Sequence, residues 1–130
     1  MGKVKPQYTR HFTPEEASAT LPLVKKIVAD ILREGHTLKQ MTGAGASTDG
    51  VEFHEQTCIV KGLFGELKEI GCFYKDWDFQ TGLVDFPAMI NGQEVLLCWR
   101  SDEDALEWYH GIEDGFAGRQ RIPRLRATEA

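Results

Sequence analysis

The residue order predicts an α+β protein: an N-terminal helical hairpin, a small antiparallel β-meander and a short C-terminal helix. Three observations carry that expectation. Apolar residues recur with the helical period up to about residue 70, the period falls to two after Gly71, and Asn91-Gly92 stands between two apolar runs. With 130 residues, the chain is long enough to bury a core as one domain without disulfides or metal. The expected division is a flexible N-terminus over 1–10, a single domain over 11–123 and a tail over 124–130. Within the domain the helical hairpin takes about 13–70, and the meander with the last helix about 72–119.

Thr13-Pro14-Glu15-Glu16 opens the first helix. Thr13 caps, Pro14 suits the first helical position, Glu16 closes a capping box, and Phe12 staples the entry. Pro22 lacks the N–H that a helix interior requires, which predicts a short helix near 14–20 and a kink or restart at Leu21-Pro22. The second piece runs to about Gln40, with Val24, Ile27, Val28, Ile31 and Leu38 on one face. The small residues of MTGAGASTDG (41–50) make a linker. A second helix over roughly 51–70 presents Val60, Leu63, Phe64, Leu67 and Ile70, and Gly62 and Gly65 would permit close helix approach.

Cys72–Lys75 reads as a short strand, and Leu83–Ile90 and Glu94–Arg100 as a hairpin around Asn91-Gly92. A two-residue turn sets Ile90 against Gln93, Pro87 against Leu96, Asp85 against Cys98 and Leu83 against Arg100. These are the non-hydrogen-bonded pairs, whose side chains approach most closely. Pro87 fits this register, because its nitrogen then points away from the partner strand. Val84, Phe86, Ala88, Val95, Leu97 and Trp99 share the core face. Leu83, Asp85, Pro87, Leu96, Cys98 and Arg100 share a mixed one. On that face Asp85 either pairs diagonally with Arg100, with Cys98 as a small hydrophobe, or faces a pocket together with Cys98 as a ligand or catalytic group.

Ser101-Asp102-Glu103-Asp104 opens the predicted last helix, which ends near His110. Helical spacing would set Glu103, Glu107 and His110 on one side, and Glu107-x-x-His110 matches one half of a di-iron motif. His54 and Cys58 are spaced as half of a zinc site whose second half is not evident. His11 and His36 read as surface residues. Arg119 follows the Gly115-Phe116-Ala117-Gly118 loop and is a candidate for binding a carboxylate or phosphate.

The composition narrows the function classes. A net charge of −5 argues against general nucleic-acid binding, and there is no long apolar run to span or enter a membrane. The basic start MGKVKPQYTR has no apolar region after it, and Pro6 stands where a myristoylation signal needs Ser or Thr. Three widely spaced cysteines suit reduced thiols. A cytoplasmic location is expected.

GLVDFPA (82–88), VLLCWR (95–100), Glu103, His110 and GFAGR (115–119) together resemble the bacterial domain-of-unknown-function family 2203. The opening FTPEEASATLPLVKKIV resembles the start of that family, internal proline included. The likeness covers about residues 11–123 and implies no established activity, substrate or cofactor. It does mark Asp85, Cys98, Arg100, Glu103, His110 and Arg119 as the polar or reactive positions of the motif. One departure is that Trp108-Tyr109, rather than Trp alone, precedes His110.

Two functions follow as expectations. One is binding of a metal ion, zinc or iron, or of a small anionic ligand, between the 82–100 hairpin and the last helix. Asp85, Cys98, Glu103 and His110 would be the metal ligands. In an enzyme His110 would be the general acid/base and Cys98 the nucleophile, although the balance leans against catalysis. The alternative is a scaffold without chemistry that forms a homodimer through its helical hairpin.

Overall fold

The structure is a computed structural model that describes residues 6–43 and 50–123. Helix α1 (Pro14–Gly43) starts with the expected capping box: Glu16 N–H donates to Thr13 Oγ1 at 3.0 Å, and Thr13 N–H donates to Glu16 Oε1 at 2.9 Å. It then runs through Pro22 as one helix, so the expected restart at Leu21-Pro22 is overturned. Position on the helix explains this. Pro22 and Ser18, whose carbonyl loses its helical partner, are both exposed, so that carbonyl is not forced into the core unpaired. Ala17, Leu21, Val24, Ile27, Val28 and Ile31 meanwhile continue one buried stripe across the proline. The helix also absorbs Met41, Thr42 and Gly43 from the stretch expected to be linker; the remainder of that stretch, 44–49, and the 124–130 tail lie outside the described residues.

Helix α2 (Val51–Ile70) has the expected limits and packs on α1 as a helical hairpin. Gly71 ends it in the left-handed conformation (φ 111°), and its N–H donates to the Leu67 and Lys68 carbonyls. Gly62 and Gly65 do not serve close approach, since a Cβ at either would meet nothing. Gly35 on α1 does, because a Cβ there would collide with the Phe79 ring. No helix of the described residues is long and apolar enough to cross a membrane.

Five antiparallel strands follow in sequential order: β1 (Phe73–Tyr74), β2 (Leu83–Ile90), β3 (Gln93–Arg100), β4 (Trp108–Gly111) and β5 (Gln120–Arg121). The hairpin register is the expected one, with Ile90 opposite Gln93, Pro87 opposite Leu96, Asp85 opposite Cys98 and Leu83 opposite Arg100. Asn91 (φ 52°) and Gly92 (φ 80°) supply the two left-handed residues that a type I′ turn requires.

The expected C-terminal helix does not form. Residues 101–107 turn away from β3, and Trp108–Gly111 returns as a strand against it. Two local causes favour this. Glu103 N–H donates to the Arg100 carbonyl, which makes a turn where the helix was expected to start. Trp108-Tyr109-His110 also satisfies the open edge of β3, with His110 opposite Leu96 and Trp108 opposite Cys98. Helical propensity over ten residues is weak against that row of backbone bonds.

The two helices cover one face of the sheet. Val84, Phe86, Ala88, Val95, Leu97 and Trp99 enter the core with the α1 stripe, Val60 and Leu67, as the alternation predicts. The opposite face carries Phe73, Asp85, Cys98 and Trp108 in one cross-strand row, and Leu96 and His110 in the next. Ahead of α1, Phe12 makes a parallel bridge to Ala88, and its N–H donates to the Pro87 carbonyl at 2.7 Å. Pro87 therefore turns its polar edge away from β3, as a proline inside a strand must.

Candidate functional site

Three of the expected residues meet on the face away from the helices. Asp85, Cys98 and His110 each present one donor atom, and the three atoms lie within 4.8 Å of one another. All three residues are buried, with 5%, 2% and 4% of their surfaces exposed. Asp85 and Cys98 are brought together by register alone. His110 belongs to β4, two strands from Asp85, and its ring reaches over β3 so that Nε2 stands 3.4 Å from Asp85 Oδ1. The other ring nitrogen is fixed by backbone: Nδ1 lies 2.8 Å from the Gly111 carbonyl oxygen, which can only accept, so Nδ1 carries the proton. Nε2 is thus the nitrogen offered to Asp85.

The electrostatics follow from this packing. Hydrogen bonding to Asp85 and then to Cys98 raises the His110 pKa to about 10, against the opposing effect of burial, and the Gly111 carbonyl adds to the rise. At neutral pH His110 is therefore an imidazolium, buried beside Asp85. Their 3.4 Å separation is long for a charge-assisted hydrogen bond, which closes to about 2.7–2.9 Å.

The remaining candidates form a second group beside the first. Arg119 grips Glu103 in a two-pronged pair, Nη1 to Oε2 at 2.8 Å and Nη2 to Oε1 at 2.7 Å. Arg119 Nη2 also donates to the Cys98 carbonyl at 3.1 Å, and its guanidinium lies 5.1 Å from the centre of the Trp108 ring. Glu103 Oε1 accepts the Arg100 N–H at 2.9 Å as well. Despite burial, these bonds hold the Glu103 carboxyl below its ordinary range. Glu103 is therefore spent on Arg119 and is not among the grouped donors, which corrects the four-ligand expectation.

Some of the other expectations are corrected and some hold. The ion pair of Asp85 is with His110, whereas Arg100 Nε donates to Asp102 at 2.6 Å. Without a last helix, Glu103, Glu107 and His110 share no helical side; Glu107 instead pairs with Arg121 at 2.9 Å in the open. His54 and Cys58 do approach, Nε2 to Sγ at 3.7 Å, but no third metal donor joins them among the described residues. His36 is exposed as expected, while His11 is half-buried against Glu94. A surface cavity of about 510 Å³ between Pro14, Glu15, Leu106, Glu107, Arg121 and Ile122 is lined by none of the three grouped residues.

Sequence reasoning missed what closes this face. Glu94, on the same side of β3 as Cys98, accepts the Gln7 N–H at 2.7 Å and the Tyr8 N–H at 3.0 Å, and lies 2.8 Å from His11 Nε2. Part of the stretch expected to be flexible is thereby tied to the sheet. The available signal was parity: Glu94 shares the even-numbered face of Leu96 and Cys98.

An antiparallel five-stranded meander with a helical hairpin on one face and a Cys-His-Asp cluster on the other defines the class of protein. The chain belongs to the family of uncharacterised conserved proteins DUF2203, whose model matches residues 10–122. Neither the curated proteins nor the solved structures contain a match.

Proposed function

We propose that this protein binds a divalent transition metal, zinc above all, through Asp85 oxygen, Cys98 sulfur and His110 Nε2. The observation that carries the reading is the convergence of three chemically different donors, each almost fully buried, on a spot where one ring nitrogen is held by backbone. Tying Nδ1–H to a carbonyl is how a metal-bound histidine is oriented, leaving Nε2 free to ligate. Bonds of about 2.0–2.1 Å in a tetrahedron set oxygen and nitrogen ligands about 3.3 Å apart. The 3.4 Å between Asp85 Oδ1 and His110 Nε2 suits that edge better than a tight hydrogen bond. Thiolate, imidazole and carboxylate together fit zinc or iron(II) and disfavour magnesium or calcium.

Three protein ligands leave a fourth position for water or a small ligand. A bound divalent metal would take the place of two protons, one on His110 Nε2 and one on the Cys98 thiol, both released to solvent, and the Asp85 carboxylate and Cys98 thiolate would offset its charge. The competing reading, a Cys-His-Asp nucleophile, requires cysteine and carboxylate on the two opposite ring nitrogens. Nδ1 is engaged by the Gly111 carbonyl, so that relay lacks a nitrogen. The buried stripe of α1 is used within the chain's own core, while Leu23, Val51 and Ile59 stay exposed on the two helices, and the alternative of a homodimer through the helical hairpin would use those residues.

The test is to titrate metal-free protein with cobalt(II) and zinc. One equivalent should bind with a thiolate-to-cobalt charge-transfer band, lost in Cys98→Ser, and zinc should raise the midpoint of thermal unfolding. Protein that takes up neither ion and shows no thermal shift overturns the proposal. Preference for iron(II) over zinc in anaerobic competition would change the metal and keep the site.

A further inference from the structure

The helices cover the opposite face of the sheet, yet Asp85, Cys98 and His110 are almost fully buried. What lies on their side is the Arg119–Glu103 pair next to Cys98 and, next to Asp85, the segment ahead of α1. Its backbone is fixed at two points: Gln7 and Tyr8 N–H groups on the Glu94 carboxylate, and Phe12 N–H on the Pro87 carbonyl. His11 adds a third contact to the same Glu94 oxygen that Tyr8 uses. Between these points the Tyr8 ring packs on Phe73 with centroids 5.3 Å apart, and Phe73 is the cross-strand neighbour of Asp85. The charge of Asp85 reaches the Tyr8 hydroxyl: burial first, then Asp85 and Glu94, push that phenol above its ordinary pKa.

Three backbone and ring donors from one short segment thus depend on a single carboxylate. The anchoring is uneven. Glu94 sits beside the Asn91-Gly92 turn on a strand end, whereas the Phe12 anchor is buried in the core. Without Glu94 the segment would keep only the Tyr8 ring on Phe73 and the Arg10 side chain against Phe12 and Gly71, while the Phe12 N–H would stay on the Pro87 carbonyl.

We propose that residues 7–12 form a strap latched by Glu94 across the Asp85–Cys98–His110 site, and that access to the site passes through release of this latch. The strap concerns the same site as the metal proposal but stands on its own contacts, and its test uses metal-free protein. The three free cysteines supply the readout. Cys58 is exposed, Cys98 is buried beside Asp85 and His110 on the sheet face that the Tyr8 ring borders, and Cys72 is buried in the core. With Cys58→Ser as background, alkylation of the native protein by iodoacetamide is followed by peptide mass spectrometry at Cys98 and Cys72 separately.

In Glu94→Gln, which removes the charge from the latch bonds, Cys98 should react about tenfold faster, and faster still in Glu94→Ala, with Cys72 unchanged. Equal acceleration at both cysteines would mean global unfolding rather than a latch, and an unchanged Cys98 rate would mean the strap does not control access. Either result overturns the inference. Selective acceleration in a protein that binds no cobalt or zinc would keep the strap and remove the metal.

Discussion

The two faces of the meander are buried to a similar depth by opposite means. Val84, Phe86, Leu97 and Trp99 are covered by helices whose own stripes are apolar, so any partner of the right size would serve. Asp85, Cys98 and His110 lie on the other face, where each polar atom depends on a named counterpart. A helix-facing substitution should therefore cost volume, and a site-facing one should cost an unmatched charge. The two losses are distinguishable by what else changes.

The largest effect is expected on the helix-facing side. Phe86→Ala removes a fully buried ring that meets Phe12 edge-on at 5.3 Å, and should cost about 3–5 kcal/mol in urea unfolding. What remains folded should still give the cobalt charge-transfer band. Asp85→Ala should cost metal-free protein about 3 kcal/mol at pH 7, because it leaves the His110 imidazolium buried without its carboxylate. It should also abolish cobalt binding, and an Asp85→Ala protein that still binds cobalt would break the contrast between the faces.

Acidity sharpens the contrast further. The His110 pKa is raised in the folded protein, so its contribution to stability is complete below the unfolded value of about 6.5 and is lost as pH rises through about 10. Metal-free protein should become less stable across that window, by a few kcal/mol in urea titrations. His110→Gln should flatten the dependence, and zinc should suppress it by taking the place of the proton. Glu103→Gln is the smallest of the series. It weakens the grip on Arg119 and should cost about 1–2 kcal/mol while leaving cobalt stoichiometry at one.

The parts of this molecule that were legible in the sequence are those fixed by local chemistry. Thr13 and Glu16 specify a cap, Asn91-Gly92 specifies a turn, and the turn fixes the opposition of Asp85 and Cys98. What was not legible depended on distant partners. Pro22 looked like a break because its cost is local, whereas the buried stripe that carries α1 past it is tertiary. Residues 101–110 looked helical because Ser101 and Asp102 can cap, but the unpaired edge of β3 decides their conformation. Of the four expected metal donors, three meet. Glu103 is removed by Arg119, sixteen residues further on, and no spacing rule in the sequence announces that pair.

His110 reaching over β3 to Asp85 has a consequence for motion. It acts as a crossbar that ties the second and fourth strands together above the third, so these three should open as one cooperative unit. Fraying that begins at the two-residue strands on either edge should stop at the crossbar. Amide exchange would then divide the sheet into a slow centre spanning Leu83–Arg100 and Trp108–Gly111, and fast margins at Phe73–Tyr74 and Gln120–Arg121.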